Sequence, residues 1–109
     1  MSDDTPLLDT LAAMTAVSFE ECELDPRELM IARIAALVAA GAPPASYLVN
    51  AGTASDVGIT LEDVQGVLIA VAPIVGTART VSATGNIARA LGFAIAAIEA
   101  ELEAELEAD

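Results

Sequence analysis

Residues 24–41 read Leu24-Asp25-Pro26-Arg27-Glu28-Leu29-Met30-Ile31-Ala32-Arg33-Ile34-Ala35-Ala36-Leu37-Val38-Ala39-Ala40-Gly41. Three helix-start signals coincide at the front of this segment. Asp25 supplies an N-cap, Pro26 occupies a first turn in which its missing N–H has no partner to lose, and Glu28 completes a capping box. Gly41 ends the helix. Between these bounds Leu29, Met30, Ile31, Ile34, Leu37 and Val38 leave Arg33 as the sole interior charge. A helix apolar on nearly every side is stable only when other elements cover it, so this one is expected at the centre of an all-α fold.

The flanking sequence supplies the cover. Upstream, Leu7, Leu8, Leu11 and Met14 fall at helical spacing after Pro6 and predict a short opening helix over 5–18, docked on the core. The acidic run Glu20-Glu21-Cys22-Glu23 interrupts it. Downstream, Pro43-Pro44 restarts the chain into a third helix from Ala45 to Ser55, closed near Gly58. Thr60-Leu61-Glu62-Asp63 is a second capping-box start, and the helix it opens through Val64, Val67, Leu68 and Val71 is expected to stop between Pro73 and Gly76. A fifth helix over 77–91 follows, and Gly92 permits a bend or C-cap before a sixth, from Phe93 to Asp109. That last segment spaces Ile95, Ile98, Leu102 and Leu106 into a narrow seam, while its glutamates stack four residues apart with no lysine between them. Like charges at that spacing destabilise an isolated helix, so the tail packs on another subunit or frays. The expectation is a compact bundle of about six helices in one domain over 1–109, with acidic ends at 1–23 and 99–109.

At 109 residues the chain suits one core, burying about two-thirds of its unfolded surface. Hydrophobic residues make up 55% of it and aromatics 3%, so the apolar mass is Ala, Val, Leu and Ile. A monomer this small cannot enclose so much apolar surface, which predicts a homo-oligomer. The net charge of −13, from 17 acids against Arg27, Arg33, Arg79 and Arg89, argues against nucleic acid and anionic membranes. The uncharged run Ile34 to Ser55 is broken by Pro43-Pro44 and carries Ser46, Asn50 and Thr53, so it does not read as a membrane span. With no basic and apolar leader after Met1 and a lone Cys22, the expected location is the cytoplasm.

Residue types restrict the chemistry. Without histidine or lysine there is no imidazole base, Schiff base, Ser-His-Asp triad or Walker motif. One cysteine gives no zinc site and no Cys-x-x-Cys pair, and the acids around Cys22 disfavour its thiolate. Neither a metal nor a cofactor is expected.

From Leu24 to Leu91 the order of features resembles the carboxymuconolactone decarboxylase family, which includes the alkyl hydroperoxidase D-like proteins. Leu24-Asp25-Pro26-Arg27-Glu28-Leu29 opens an Ala-rich helix ended by Gly41. Val57-Gly58-Ile59-Thr60-Leu61-Glu62-Asp63-Val64 is similar to the family's helix start with an acidic pair, and Val71-Ala72-Pro73-Ile74-Val75-Gly76-Thr77-Ala78-Arg79 to its following turn. The resemblance implies an alkyl hydroperoxidase D-like helical fold and a homo-oligomer, a trimer, hexamer or higher. The family's redox branch carries Cys-x-x-Cys-x-x-x-His just after the glycine matched by Gly41, where this chain has Ala42, Ala45 and Val49. Thiol peroxidase and histidine-dependent decarboxylase chemistry are therefore not expected.

The resemblance also places a pocket beside the helix that carries Tyr47 and Asn50. Arg33 and Arg79 are candidates to reach it, and because a guanidinium grips carboxylates with a bidentate fork, they would favour a small anionic ligand. The competing explanation for Arg33 is a structural pairing. Tyr47 is a weak acid or donor if half-buried, or a packing residue. The stripe Arg79, Ser82, Asn86 and Arg89 reads most simply as a solvent face. The leading expectation is a binding or assembly protein with a small apolar pocket. The alternatives are an acid–base lyase or isomerase using Arg33, Tyr47 and Asn50 on a small anionic lactone or acid, and a scaffold that holds a basic partner through its acidic tail.

Overall fold

The computed structural model describes residues 5–108, apart from the side chains of residues 93, 94 and 108. Five helices follow one another: α1 (Pro6–Glu21), α2 (Pro26–Ala40), α3 (Pro44–Asp56), α4 (Leu61–Val75) and α5 (Thr77–Ala108), with no strand among the described residues. The all-α expectation is met, and α2 starts as its sequence dictates. The Asp25 carboxylate accepts the Glu28 backbone N–H at 3.0 Å, and the Glu28 carboxylate accepts that of Asp25 at 3.2 Å. At α4 the Thr60 hydroxyl accepts the Asp63 N–H at 3.1 Å, and Asp63 accepts the Thr60 N–H at 2.9 Å. Gly41, with φ of 70°, adopts the left-handed conformation that closes α2.

One ion pair joins the two capped starts. Arg27 on α2 and Asp63 on α4 lie 2.6 Å apart, while at the other end Gly41 and Val75 line a common recess. The two helices therefore run in the same direction and pack on each other, while α3, which links them in the chain, packs on α2 and α5. The core lies among α2–α5: Met30 and Val38 are fully buried, and Leu29, Ile34, Tyr47, Val67, Ala83 and Ala90 are nearly so. Ala83 and Ala90 present the small side chains that let α5 approach α2 and α3 closely.

Two expectations are corrected. The sixth helix does not exist as a separate element, because Gly92 is an interior residue of α5; among the described residues positive φ values occur only at Gly41, Gly58 and Gly76. Glycine permits a break, but nothing at this position requires one. Helix α4, by contrast, stops at Val75, inside the expected stretch from Pro73 to Gly76. Proline so near a helix end costs one hydrogen bond, and the Gly76 N–H still reaches the Ala72 carbonyl at 2.9 Å. Second, α1 is longer than expected and is not docked along its length. It has no buried residue, and its backbone lies close to no other helix.

The first half of α5 lies along the bundle, and its second half continues past it. Every described side chain from Leu91 to Glu107 is exposed. At 1.5 Å per residue α5 is about 48 Å long, which accounts for the longest dimension of the 51 × 30 × 26 Å molecule. By length and composition alone, Thr77–Glu107 is also apolar enough to cross a membrane.

Candidate functional site

Four helices line an apolar cavity of about 300 Å3 that is partly open to solvent. Helix α3 contributes Tyr47, Asn50, Ala51 and Ala54, spaced three, one and three residues apart and hence on one face. Ile34 and Leu37 of α2, Leu61 and Val64 of α4, and Ile87, Ala90 and Leu91 of α5 form the other walls, with Ser55, Ile59 and Thr60 at one end. The volume is at the low end for ligand sites. It accommodates on the order of ten non-hydrogen atoms, taking the ~30 Å3 that a water occupies in the liquid as a guide.

Its polar groups are few. The Tyr47 side chain is buried, and its hydroxyl, shielded from solvent, has no hydrogen-bond partner. An unpartnered buried hydroxyl costs about 1–3 kcal/mol. Burial also pushes the Tyr47 phenol above its ordinary value of 10.0. At neutral pH it is therefore a protonated donor. Asn50 donates through Nδ2 to the Ser46 carbonyl at 2.9 Å, so its amide is held within its own helix. The Thr60 hydroxyl is occupied by the α4 cap.

Of the four candidate residues, the structure brings together Tyr47 and Asn50 and directs the two arginines elsewhere. Arg33 donates to the Ser18 hydroxyl at 2.9 Å and lies 4.3 Å from the centroid of the Phe19 ring. Its role is to tie the end of α1 to α2 through a hydrogen bond and a cation–π contact. Arg79 donates to the Ala39 carbonyl at 2.7 Å. Asn86 donates to the Ala42 carbonyl at 3.2 Å and accepts from Arg89 at 3.1 Å. The stripe on α5 is thus more than a solvent face. It satisfies carbonyls at the C-terminal end of α2 and sets a positive charge against the negative end of that helix's dipole. Spacing within α5 revealed the stripe but could not reveal this partner, about 40 residues away in the chain.

No arginine lines the cavity, so nothing in its wall pairs with a carboxylate. Ala42, Ala45 and Val49, the places that the resemblance assigns to thiols and imidazole, do not line it either. Ala42 is buried in the core and Val49 is 81% exposed. Sequence reasoning missed Thr60, Leu61 and Leu91, which reach the cavity only through packing between helices distant in sequence. Among the described residues no cluster of three metal-ligating side chains occurs. None of the protein-family models, characterised proteins or solved structures compared with the chain matches it. Fold and site together define an all-α bundle with a small apolar cavity and one buried phenol donor.

Proposed function

We propose that this chain binds a small, uncharged and mostly apolar molecule in the cavity between α2, α3, α4 and α5, with the Tyr47 hydroxyl donating to a carbonyl, ester or ether oxygen of that molecule. The observation that carries this reading is the Tyr47 hydroxyl itself, buried beside an apolar cavity and bonded to nothing. A ligand acceptor relieves that deficit once a small turn of the Tyr47 side chain brings its shielded hydroxyl to the cavity wall, and the surrounding aliphatic side chains supply affinity through the apolar surface they cover. The ligand is neutral because the cavity wall carries no cation. Chain order also favours a carboxymuconolactone decarboxylase-like scaffold working as a homo-oligomer, on the three motifs between Leu24 and Arg79 and on the apolar surface left open on one chain. In this reading the scaffold has lost the family's thiol and histidine chemistry and retained a pocket.

Calorimetric titration with a cyclic ketone and the cycloalkane of the same ring size tests the proposal. The ketone is expected to bind roughly five- to tenfold more tightly, the worth of one neutral hydrogen bond. Tyr47→Phe should erase that preference while leaving the hydrocarbon's affinity intact. A ketone preference that survives Tyr47→Phe removes the phenol from the site. Binding of neither probe removes the cavity as a ligand site.

A further inference from the structure

We infer that two copies of this chain pair through α5, antiparallel, so that the overhanging half of each α5 lies along the bundle half of the other. The inference rests on the homo-oligomeric reading above and specifies its surface. Along α5, Thr84, Ala88, Leu91, Ile95, Ile98 and Leu102 are separated by alternating steps of four and three residues, the spacing of a coiled-coil seam. All six are exposed on the single chain, with Leu91 at 42%, Ile95 at 48%, Ile98 at 56% and Leu102 at 55%. The seam starts beside the bundle and runs out along the overhang without a break.

Charge fixes the direction. Residues 77–98 hold Arg79 and Arg89 and no acid; residues 99–108 hold five glutamates and no base. Parallel pairing would set ten glutamates together at one end. Antiparallel pairing sets each acidic tail beside the partner's arginine-bearing half and beside the positive N-terminal end of its α5. Side-chain size fixes the register. Placing Leu91 opposite Ile95 puts Ala88 opposite Ile98 and Thr84 opposite Leu102, so a large residue meets a small one at two of the three levels. Leu91 belongs both to the seam and to the cavity wall, so the second copy also covers that side of the ligand site.

The test uses the full chain in a Cys22→Ser background. Sedimentation velocity should show a dimer or a multiple of it, and Ile98→Glu should weaken self-association at least about tenfold while far-UV circular dichroism keeps its helical signal. Chains carrying Ala88→Cys and Ile98→Cys, mixed under mild oxidation, should form the mixed disulfide, and neither should cross-link to itself. Self-cross-linking through Ala88→Cys overturns the antiparallel arrangement. An oligomer without the mixed disulfide overturns the α5 interface but leaves the homo-oligomeric reading standing, whereas a monomer overturns both. Co-sedimentation with phosphatidylcholine vesicles would assign the apolar seam to lipid and overturn the proposal.

Discussion

Among the described residues, Tyr47 is the one at which packing and hydrogen bonding conflict. Its ring fills the core beside Val38, Ala83 and Ala90, while its hydroxyl receives nothing in return for leaving water. Tyr47→Phe is therefore expected to leave the unliganded protein as stable or to stabilise it by up to about 1 kcal/mol, read from urea unfolding. The alkaline limb of stability offers a second readout. Because the folded phenol titrates above the unfolded value near 10, the unfolded chain loses its proton first. Stability is then undiminished below pH about 10 and falls as pH rises through the folded pKa. With no lysine and a single tyrosine in the chain, that fall should follow tyrosinate absorbance and vanish in Tyr47→Phe. Asp63 gives the opposite limb. The Thr60 backbone N–H, followed by Arg27, holds its carboxylate below the usual range. Its contribution is present above pH about 4 and lost as pH falls through the depressed pKa, a loss that Asp63→Asn should flatten in acid titrations. The site was half legible in the sequence. The helix that carries Tyr47 and Asn50 is where the family resemblance implies a pocket, and their spacing of one turn puts both on one face, whereas charge alone points to Arg33 and Arg79. A long flexible cation has many partners within reach, and here α1 and the end of α2 take them.

Among the helices, boundaries set by chemistry were legible and those set by permission were not. The capping boxes at Asp25 and Thr60 satisfy backbone donors that would otherwise lack partners, so the sequence leaves few alternatives there. Gly41 was legible for the same reason, since a left-handed turn had to follow α2. Gly92 is different, because it only tolerates a break. Continuity through Gly92 has a measurable consequence: an added Cβ meets no atom within 4 Å, and the backbone is already helical. Gly92→Ala should therefore stabilise α5 by roughly 0.5–1 kcal/mol. A loss of stability would mean that α5 needs a bend there. Helix starts respond in the other direction. Thr60→Ala removes the hydroxyl that caps α4 and should cost about 1 kcal/mol, measured in the same unfolding experiment.

Across the whole molecule, burial is concentrated in α2–α4 and the first half of α5, leaving two helical segments with little to hold them. Helix α1 exposes Leu7, Leu8, Leu11, Met14 and Val17 and is tied to the bundle at its end by Arg33. The far half of α5 exposes Ile95, Ile98, Leu102 and Leu106 and draws its only covalent support from the half that is packed. Sixteen or seventeen residues of helix without tertiary cover are near the limit of what water sustains, and local opening of such segments costs far less than unfolding the core. Amide exchange should consequently divide the dilute chain into a protected body and two fast-exchanging ends. Raising the concentration separates their roles. If the α5 seam is covered by a second copy, protection over residues 92–107 rises with concentration. Any residual protection of α1 lies at its end, around Ser18 and Phe19 where Arg33 holds it; it should not change with concentration, and Arg33→Ala should remove it without affecting α5. Protection of α1 that rises together with α5 would instead place both helices in the same contact between copies.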